Sequence, residues 1–371
     1  MNEKALNVII KQLETCRAPE VQEAIKEQKR LAQISSEKRI AFDNLMDQSI
    51  TLLRIGSEKF YNKYPQYKED LPQEDIKFDI ALRALELAVN NPERLFEILS
   101  RMDEIDELKR NKEITDSLTK AFYEYIVSFS ELEDRLKQDR EKLFSKEYRN
   151  KMASYADNGV LLYFLETPDF PILDADITPN DILDSLYCGN SMNTLFSSFF
   201  KMKNVGVSME RKMKDLALTI DLLFAGEYRT AARNLFALLD SEHKKAANAY
   251  EGILSKRKEY KKGFQRSIKI GELVDRLDDE WYDEAWNKID QYYAKVVATN
   301  PQDGVIHRNS IVHGDYDSQL IDVDRYSVAK LLLLWLNMRL MADIFCNKEE
   351  IFSLLIQYLP AIIMYLKTNH D

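Results

Sequence analysis

The chain has 371 residues, of which 45% are hydrophobic and 31% are charged, and its formal net charge is −10. This composition provides a sizeable core and a solvated surface, and it excludes a disordered, collagen-like or disulfide-stapled chain. The negative net charge also excludes nucleic-acid binding through the field of the whole protein, so any such site must be a local basic patch.

Glycine and proline are scarce, with 10 and 9 residues. No proline occurs between Pro92 and Pro168 or between Pro179 and Pro301. Such blocks permit long helices, because proline removes a backbone donor and clashes with the preceding turn. All-β folds need many turns, and turns usually use glycine and proline. We therefore predict an all-α fold.

Residues 1–150 are predicted to form a helical region that acts as a regulator or sensor, with a partner-binding module or a scaffold as alternatives. Its charges alternate in sign as on solvated helix faces, and Asn91 and Pro92 match the cap and first turn of a helix. The first residues have no apolar signal core, and three widely spaced cysteines fit a reducing compartment. We expect a cytoplasmic protein.

Residues 151–204 differ in composition and are predicted to be an acidic linker or a packed insertion. Lysine and arginine are absent from residues 152–200, whereas seven acidic residues and three prolines occur there. A shift of this kind is typical of a boundary between two parts of a chain. Within this segment, Thr178 and Pro179 are predicted to open a short helix.

Residues 205–371 carry the strongest helical pattern and are predicted to form a helical domain. Apolar residues at helical spacing on both sides of Gly226 predict two antiparallel helices joined by a short turn. A charged helix, a polar loop and an apolar helix at residues 326–345 follow. The apolar residues 351–366 contain Pro360 and are shorter than the roughly 20 residues that span a bilayer. We predict that they are buried or face a dimer partner, with an interfacial membrane segment as the weaker alternative.

Residues 256–269 of this helical domain form a basic run, with Tyr260 and Phe264 between its positive charges. Clustered cations contact phosphates, and aromatic rings stack on bases, so the run predicts an RNA-binding edge. A solvated helix face is the alternative. The residues predicted to bind RNA are Lys256, Arg257, Lys258, Lys261, Lys262 and Arg266.

The sequence contains four histidines but no spacing typical of a metal site, and it contains no Gly-x-Gly loop for a nucleotide. We therefore predict neither a metal nor a cofactor. The remaining candidate for chemistry is RNSIVHG, in which Arg308 and His313 are separated by four residues and followed by Gly314. Histidine titrates near neutrality and can move protons, and arginine stays charged and matches phosphate oxygens.

This motif resembles that of the HEPN superfamily, whose nuclease members carry R-x4–6-H with a polar residue after the arginine, here Asn309. The upstream helical hairpin, the polar loop and the closing apolar helix also resemble that family, over about residues 205–345. The resemblance implies a HEPN-like helical domain that acts as a metal-independent endoribonuclease. Its catalytic residues would be Arg308, Asn309 and His313, with Asn309 orienting the phosphate or the histidine.

The resemblance also implies a homodimer, because known HEPN nucleases pair two such motifs in one cleft and this chain holds one. The expected products are a 2′,3′-cyclic phosphate and a 5′-hydroxyl. The expected role is that of an effector in anti-phage defence or a toxin, held in check by a regulatory region or a protein partner, with no part for a membrane. A non-catalytic helical adaptor, used for dimerisation or nucleotide binding, is the alternative.

Overall fold

A computed structural model of the chain describes residues 19–68, 90–143, 145–163, 178–186, 207–263, 275–277, 280–298, 305–306, 308–312 and 323–369. Within these ranges all regular secondary structure is helical, which confirms the predicted all-α fold. We label the helices in chain order. They are α1 (Pro19–Lys63), α2 (Pro92–Met102), α3 (Asp106–Leu143), α4 (Lys146–Asp157), α5 (Pro179–Leu186), α6 (Val207–Phe224), α7 (Tyr228–Gly263), α8 (Glu280–Val297), α9 (Arg308–Val312) and α10 (Arg325–Asn369).

Side chains that satisfy free backbone groups mark several helix ends. Asn91 caps α2 by accepting a hydrogen bond from the backbone nitrogen of Arg94 at 3.1 Å, and Pro92 occupies the first turn. The hydroxyl of Thr178 accepts from the backbone of Asp181, whose carboxylate accepts from Thr178 in return, at the start of α5. Such reciprocal capping satisfies donors that a helix leaves unpaired. Both predicted helix starts are therefore confirmed.

The structure divides into two compact units, each formed by more than one stretch of the chain. Unit 1 comprises Met1–Gln28 and Glu133–Ile356, and unit 2 comprises Lys29–Leu132 and Gln357–Asp371. Helices α1, α3 and α10 each contribute residues to both units. These limits lie elsewhere than the division at residues 150 and 204 that composition suggests, and that division stays a prediction.

Unit 1 contains the predicted hairpin of α6 and α7, which pack against each other. Gly226 lies in their connection at a φ of 81°, a backbone conformation that glycine adopts without steric cost. The core of the unit includes residues 331–336 of α10, all of which are buried, and residues 160–163, which follow α4. Buried Asn337 donates a hydrogen bond to the carbonyl of Leu161 at 3.0 Å and so joins these two segments.

Helix α10 is longer than the sequence suggests. Residues 326–345 and 351–366 are predicted as separate segments, whereas the backbone is helical without interruption from Arg325 to Asn369, past Pro360. Ile351, Phe352 and Leu355 are buried, as expected for the second segment. Of the helices described, none combines the length and the apolar composition that a bilayer crossing requires.

Unit 2 has an aromatic core, built where α1, the 3₁₀ turn at Pro65–Tyr67 and α2 meet. Phe60 is fully buried and stacks on Tyr67 with ring centroids 5.7 Å apart. Ile98 and Ile105 complete this cluster. A second cluster of rings joins α1, α3 and α10, and its members are Phe42, Phe122, Tyr125 and Tyr358.

Candidate functional site

Arg308 begins the short helix α9, which packs on α7 and α8. Its guanidinium lies 2.7 Å from Oδ2 of Asp240 in α7, and the two side chains are 40% and 33% exposed. The other carboxylate oxygen of Asp240 accepts a hydrogen bond from the hydroxyl of Tyr293 in α8 at 2.9 Å. A single carboxylate therefore joins three helices and holds one edge of a guanidinium that remains partly open to solvent.

Tyr293 connects this carboxylate to a histidine. The rings of Tyr293 and His243 stack with centroids 3.8 Å apart, and Trp286 lies 5.6 Å from the histidine ring. Nε2 of His243 lies 2.7 Å from Oδ1 of Asp290. Burial and the hydrogen bond to Asp240 raise the pKa of Tyr293, so its hydroxyl stays protonated and donates at neutral pH. His243 is thus fixed by two aromatic rings and a carboxylate.

The opposite end of α9 is held by a second arginine. Nε of Arg233 in α7 donates a hydrogen bond to the backbone carbonyl of Ile311 at 2.9 Å. Ile311 is buried beside α7, whereas the next residue, Val312, is 40% exposed. The start of α9 is therefore bound to Asp240 and its end to Arg233. Both of these residues belong to α7, where Arg233 precedes Asp240 by seven positions.

The structure places the predicted catalytic residues to different extents. Arg308 lies in the cluster just described. The backbone of Asn309 belongs to α9, while its side chain and the whole of His313 lie outside the described part of the structure. In the sequence, His313 comes two residues after Ile311, whose carbonyl accepts the hydrogen bond from Arg233. Whether His313 faces Arg308 stays a prediction.

The basic run includes the last turns of α7. Lys256 forms an ion pair with Glu349 at 3.2 Å, and Arg257 pairs with Asp283 at 3.3 Å. Neither is among the exposed residues. The side chains of Lys258, Lys261 and Lys262 and the whole of Arg266 lie outside the described residues. RNA contact by this run stays a prediction, and the two described members have carboxylate partners.

Sequence reasoning missed the partners of Arg308. Asp240 lies among the apolar residues that predict the hairpin, and Tyr293 lies in a charged helix; Arg233 and Asp290, which complete the surroundings of α9 and His243, lie in the same two helices. The available signal was spacing, because residues seven apart on α7 and three apart on α8 share a helix face. Such spacing places residues on one face of each helix, but it does not show which helices meet.

Arg308 is the member of this cluster that suits an anion. Arg308 presents a planar fork of donors that matches phosphate geometry. In the ranges that the structure describes, no group of three or more His, Cys, Asp or Glu side chains is arranged to hold a metal ion. Compared with known proteins, the chain matches no family model, no curated protein and no solved structure.

Proposed function

We propose that the chain is a HEPN-type endoribonuclease that cleaves RNA without a metal, through Arg308, Asn309 and His313. One observation supports this above the others. Arg308 opens a helix packed on a helical hairpin, and its guanidinium is held on one side by Asp240 while remaining partly exposed. A guanidinium that is oriented on one side and partly exposed on the other can still donate hydrogen bonds to a phosphate oxygen.

The proposed reaction is attack of the 2′-oxygen of RNA on the neighbouring phosphorus. One His313 side chain removes the proton of the 2′-hydroxyl, and a second protonates the departing 5′-oxygen as its bond to phosphorus breaks. Arg308 stabilises the negative charge that develops on the non-bridging oxygens. The products are a 2′,3′-cyclic phosphate and a 5′-hydroxyl, so atoms and protons balance without a cofactor.

The two histidines would come from two copies of the chain. A single motif places its arginine and its histidine on neighbouring faces, which surrounds a phosphate only loosely. A twofold homodimer brings two copies of Arg308 and His313 to one cleft through an isologous interface. By analogy with the family alone, the biological role would be anti-phage defence or a toxin, with the remaining helices or a protein partner restraining the nuclease.

A second candidate function is a non-catalytic helical adaptor. The ion pair between Arg308 and Asp240 favours it, because that pair gives Arg308 a structural role in holding α9 against α7. The net charge of −10 points the same way. In this case α9 would serve to hold the domain together or to support dimerisation, and loss of His313 would have no effect on RNA.

A cleavage assay with mixed RNA and total tRNA in the presence of EDTA tests the proposal. Wild type, Arg308→Ala and His313→Ala are compared, and the product ends are mapped. We expect the wild type alone to cleave and to leave 2′,3′-cyclic phosphates. Equal cleavage by all three proteins would exclude the proposed site, and stable folding without cleavage by the wild type would favour the adaptor.

A further inference from the structure

Arg233 is the second arginine beside α9, and the reaction proposed above does not use it. Its Nε binds the carbonyl of Ile311 at 2.9 Å. That bond occupies one of the five donors of the guanidinium group and restrains the orientation of its plane. The residue itself is exposed. The four remaining donors are therefore carried by a partly fixed group at the surface, next to the turn that leads to His313.

The carboxylate beside Arg308 weakens the attraction of this site for a phosphate, so a second cation nearby would strengthen RNA binding. A phosphate that approaches Arg308 also approaches the carboxylate of Asp240, 2.7 Å from the guanidinium. Repulsion by this carboxylate offsets part of the attraction that Arg308 exerts. Within the described part of the chain, Arg233 binds a neutral carbonyl, so its positive charge is not offset there by a bound carboxylate.

The two arginines are anchored about two turns apart along α7. Arg233 and Asp240, which holds Arg308, are seven residues apart on α7, a separation of about 10 Å at a rise of 1.5 Å per residue. Hydrogen bonds to a phosphate oxygen are about 3 Å long. Two guanidinium groups anchored at these positions are therefore better matched to different phosphates of one strand.

We propose that Arg233 binds a phosphate adjacent to the scissile one in a single strand of RNA. The inference rests on the proposed nuclease function and extends it, because it makes the substrate a strand with at least two phosphates. Its alternative is a purely structural role, in which Arg233 only holds the last turn of α9 against α7.

Salt-dependent binding separates these two roles. The probe is a short single-stranded 2′-O-methyl RNA, which retains every phosphate but lacks the attacking hydroxyl. The full chain is compared with Arg233→Ala, with Arg233→Lys, and with Arg276→Ala as a control. Arg276 is exposed and precedes Leu277, whose carbonyl binds Lys348. Lys348 is followed by Glu349, which pairs with Lys256. These contacts associate Arg276 with the part of α7 around Lys256, roughly 24 Å along that helix from Asp240.

The expected result is a change in the slope of log affinity against log salt. Each phosphate contact in a single strand contributes about 0.7 to this slope, so Arg233→Ala should lower it by about 0.7. Arg233→Lys keeps the charge and should keep the slope, and Arg276→Ala should leave it unchanged. A slope that stays the same in Arg233→Ala, an equal loss in Arg276→Ala, or no binding by the wild type would each overturn the inference.

Cleavage of the matching unmodified RNA, measured beside the binding, distinguishes this inference from the proposed function. Cleavage by the wild type together with an unchanged slope in Arg233→Ala would overturn the inference alone. A loss of slope in a protein that cleaves nothing would support the RNA contact and count against the nuclease.

Discussion

Asp240 holds Arg308 in an ion pair, in which a carboxylate oxygen of Asp240 lies 2.7 Å from a guanidinium nitrogen of Arg308. We expect Asp240→Ala to lower kcat for RNA by about 10²-fold, because a loosely placed arginine no longer meets the developing charge. Affinity for RNA should stay the same or rise, because a negative charge is removed beside the phosphate. Kinetics with separate kcat and KM values check this expectation.

Tyr293→Phe is the matched control for that substitution. It removes the hydrogen bond to the other oxygen of Asp240 but leaves the ion pair with Arg308 in place. Its effect on kcat should be clearly smaller than that of Asp240→Ala. Both variants should keep the helical fold, since a partly exposed ion pair contributes at most about 1 kcal/mol. Equal kcat values for Asp240→Ala and the wild type would contradict an orienting role.

The helical fold was predictable because it depends on local features of the sequence. The cap at Asn91 and the turn at Gly226 act through near neighbours in the chain, and the apolar run at residues 331–336 is continuous in the sequence. The ion pair of Arg308 was not predictable, because Asp240 is distant in sequence and belongs to another helix. Only the packing of α9 on α7 brings the two together.

The units and the last helix show the same limit. A unit that combines separate stretches of chain leaves no change of composition at its borders, since α1, α3 and α10 each contribute residues to both units. Residues 326–345 and 351–366 were predicted as separate segments, and Pro360 within the second removes one backbone hydrogen bond. The helix nevertheless continues on both sides of it. Burial of Ile351, Phe352 and Ile362 outweighs the loss of one bond.

Gly159 is predicted to be essential for the stability of unit 1. It follows α4 at a φ of 82°, and a Cβ there would overlap the buried ring of Tyr292. We expect Gly159→Ala to destabilise the protein by about 3 kcal/mol or more, from the backbone conformation and from overpacking together. Chemical unfolding measures this loss.

Gly226 provides a control for Gly159 with the same backbone conformation. It has a φ of 81°, and at both glycines the N–H groups of the glycine and of the next residue donate to carbonyls of the preceding helix. A Cβ at Gly226, however, would meet no atom within 4 Å. Gly226→Ala should therefore cost only about 1 kcal/mol, the backbone contribution. Similar losses for the two variants would show that contact with Tyr292 is unimportant.

Lys348 and Glu133 form a buried ion pair in unit 1, and each should depend on the other. Nζ of Lys348 lies 2.9 Å from the carboxylate of Glu133, donates to the carbonyl of Leu277 and lies 4.2 Å from the ring centre of Tyr282. Lys348→Met should cost about 3–5 kcal/mol, because it leaves Glu133 buried without its partner. The double variant Lys348→Met, Glu133→Leu should lose less than the sum of the single variants in urea unfolding. Additive losses would argue against coupling.

Glu104 is predicted to make unit 2 sensitive to acid. Hydrogen bonds from Lys63, and then from Tyr64 and Arg101, lower the pKa of this glutamate to about 2. Because the folded pKa is below the usual value of 4.5, the stabilisation is complete above about pH 4.5 and is lost as the pH falls towards 2. The free energy of unfolding, measured between pH 7 and the acid range, should therefore fall more steeply for the wild type than for Glu104→Gln. Glu113→Gln, at an exposed position of α3, should follow the wild type.

The basic run leads to a prediction that divides its members. Lys256 and Arg257 already have carboxylate partners in Glu349 and Asp283, so RNA would have to displace those partners to gain a contact. Lys256→Ala and Arg257→Ala should therefore leave the salt dependence of RNA binding unchanged. Loss of two members that do contact phosphates would lower the slope by about 1.4, at about 0.7 for each contact.

The double variant Lys261→Ala, Lys262→Ala is the test of that second group. If it lowers the slope while Lys256→Ala and Arg257→Ala do not, the RNA-binding part of the run begins beyond Arg257. If Lys256→Ala alone lowers the slope, its pairing with Glu349 must open when RNA binds. If none of the substitutions changes the slope, the run serves as a solvated helix face, and phosphate contacts must come from the arginines beside α9.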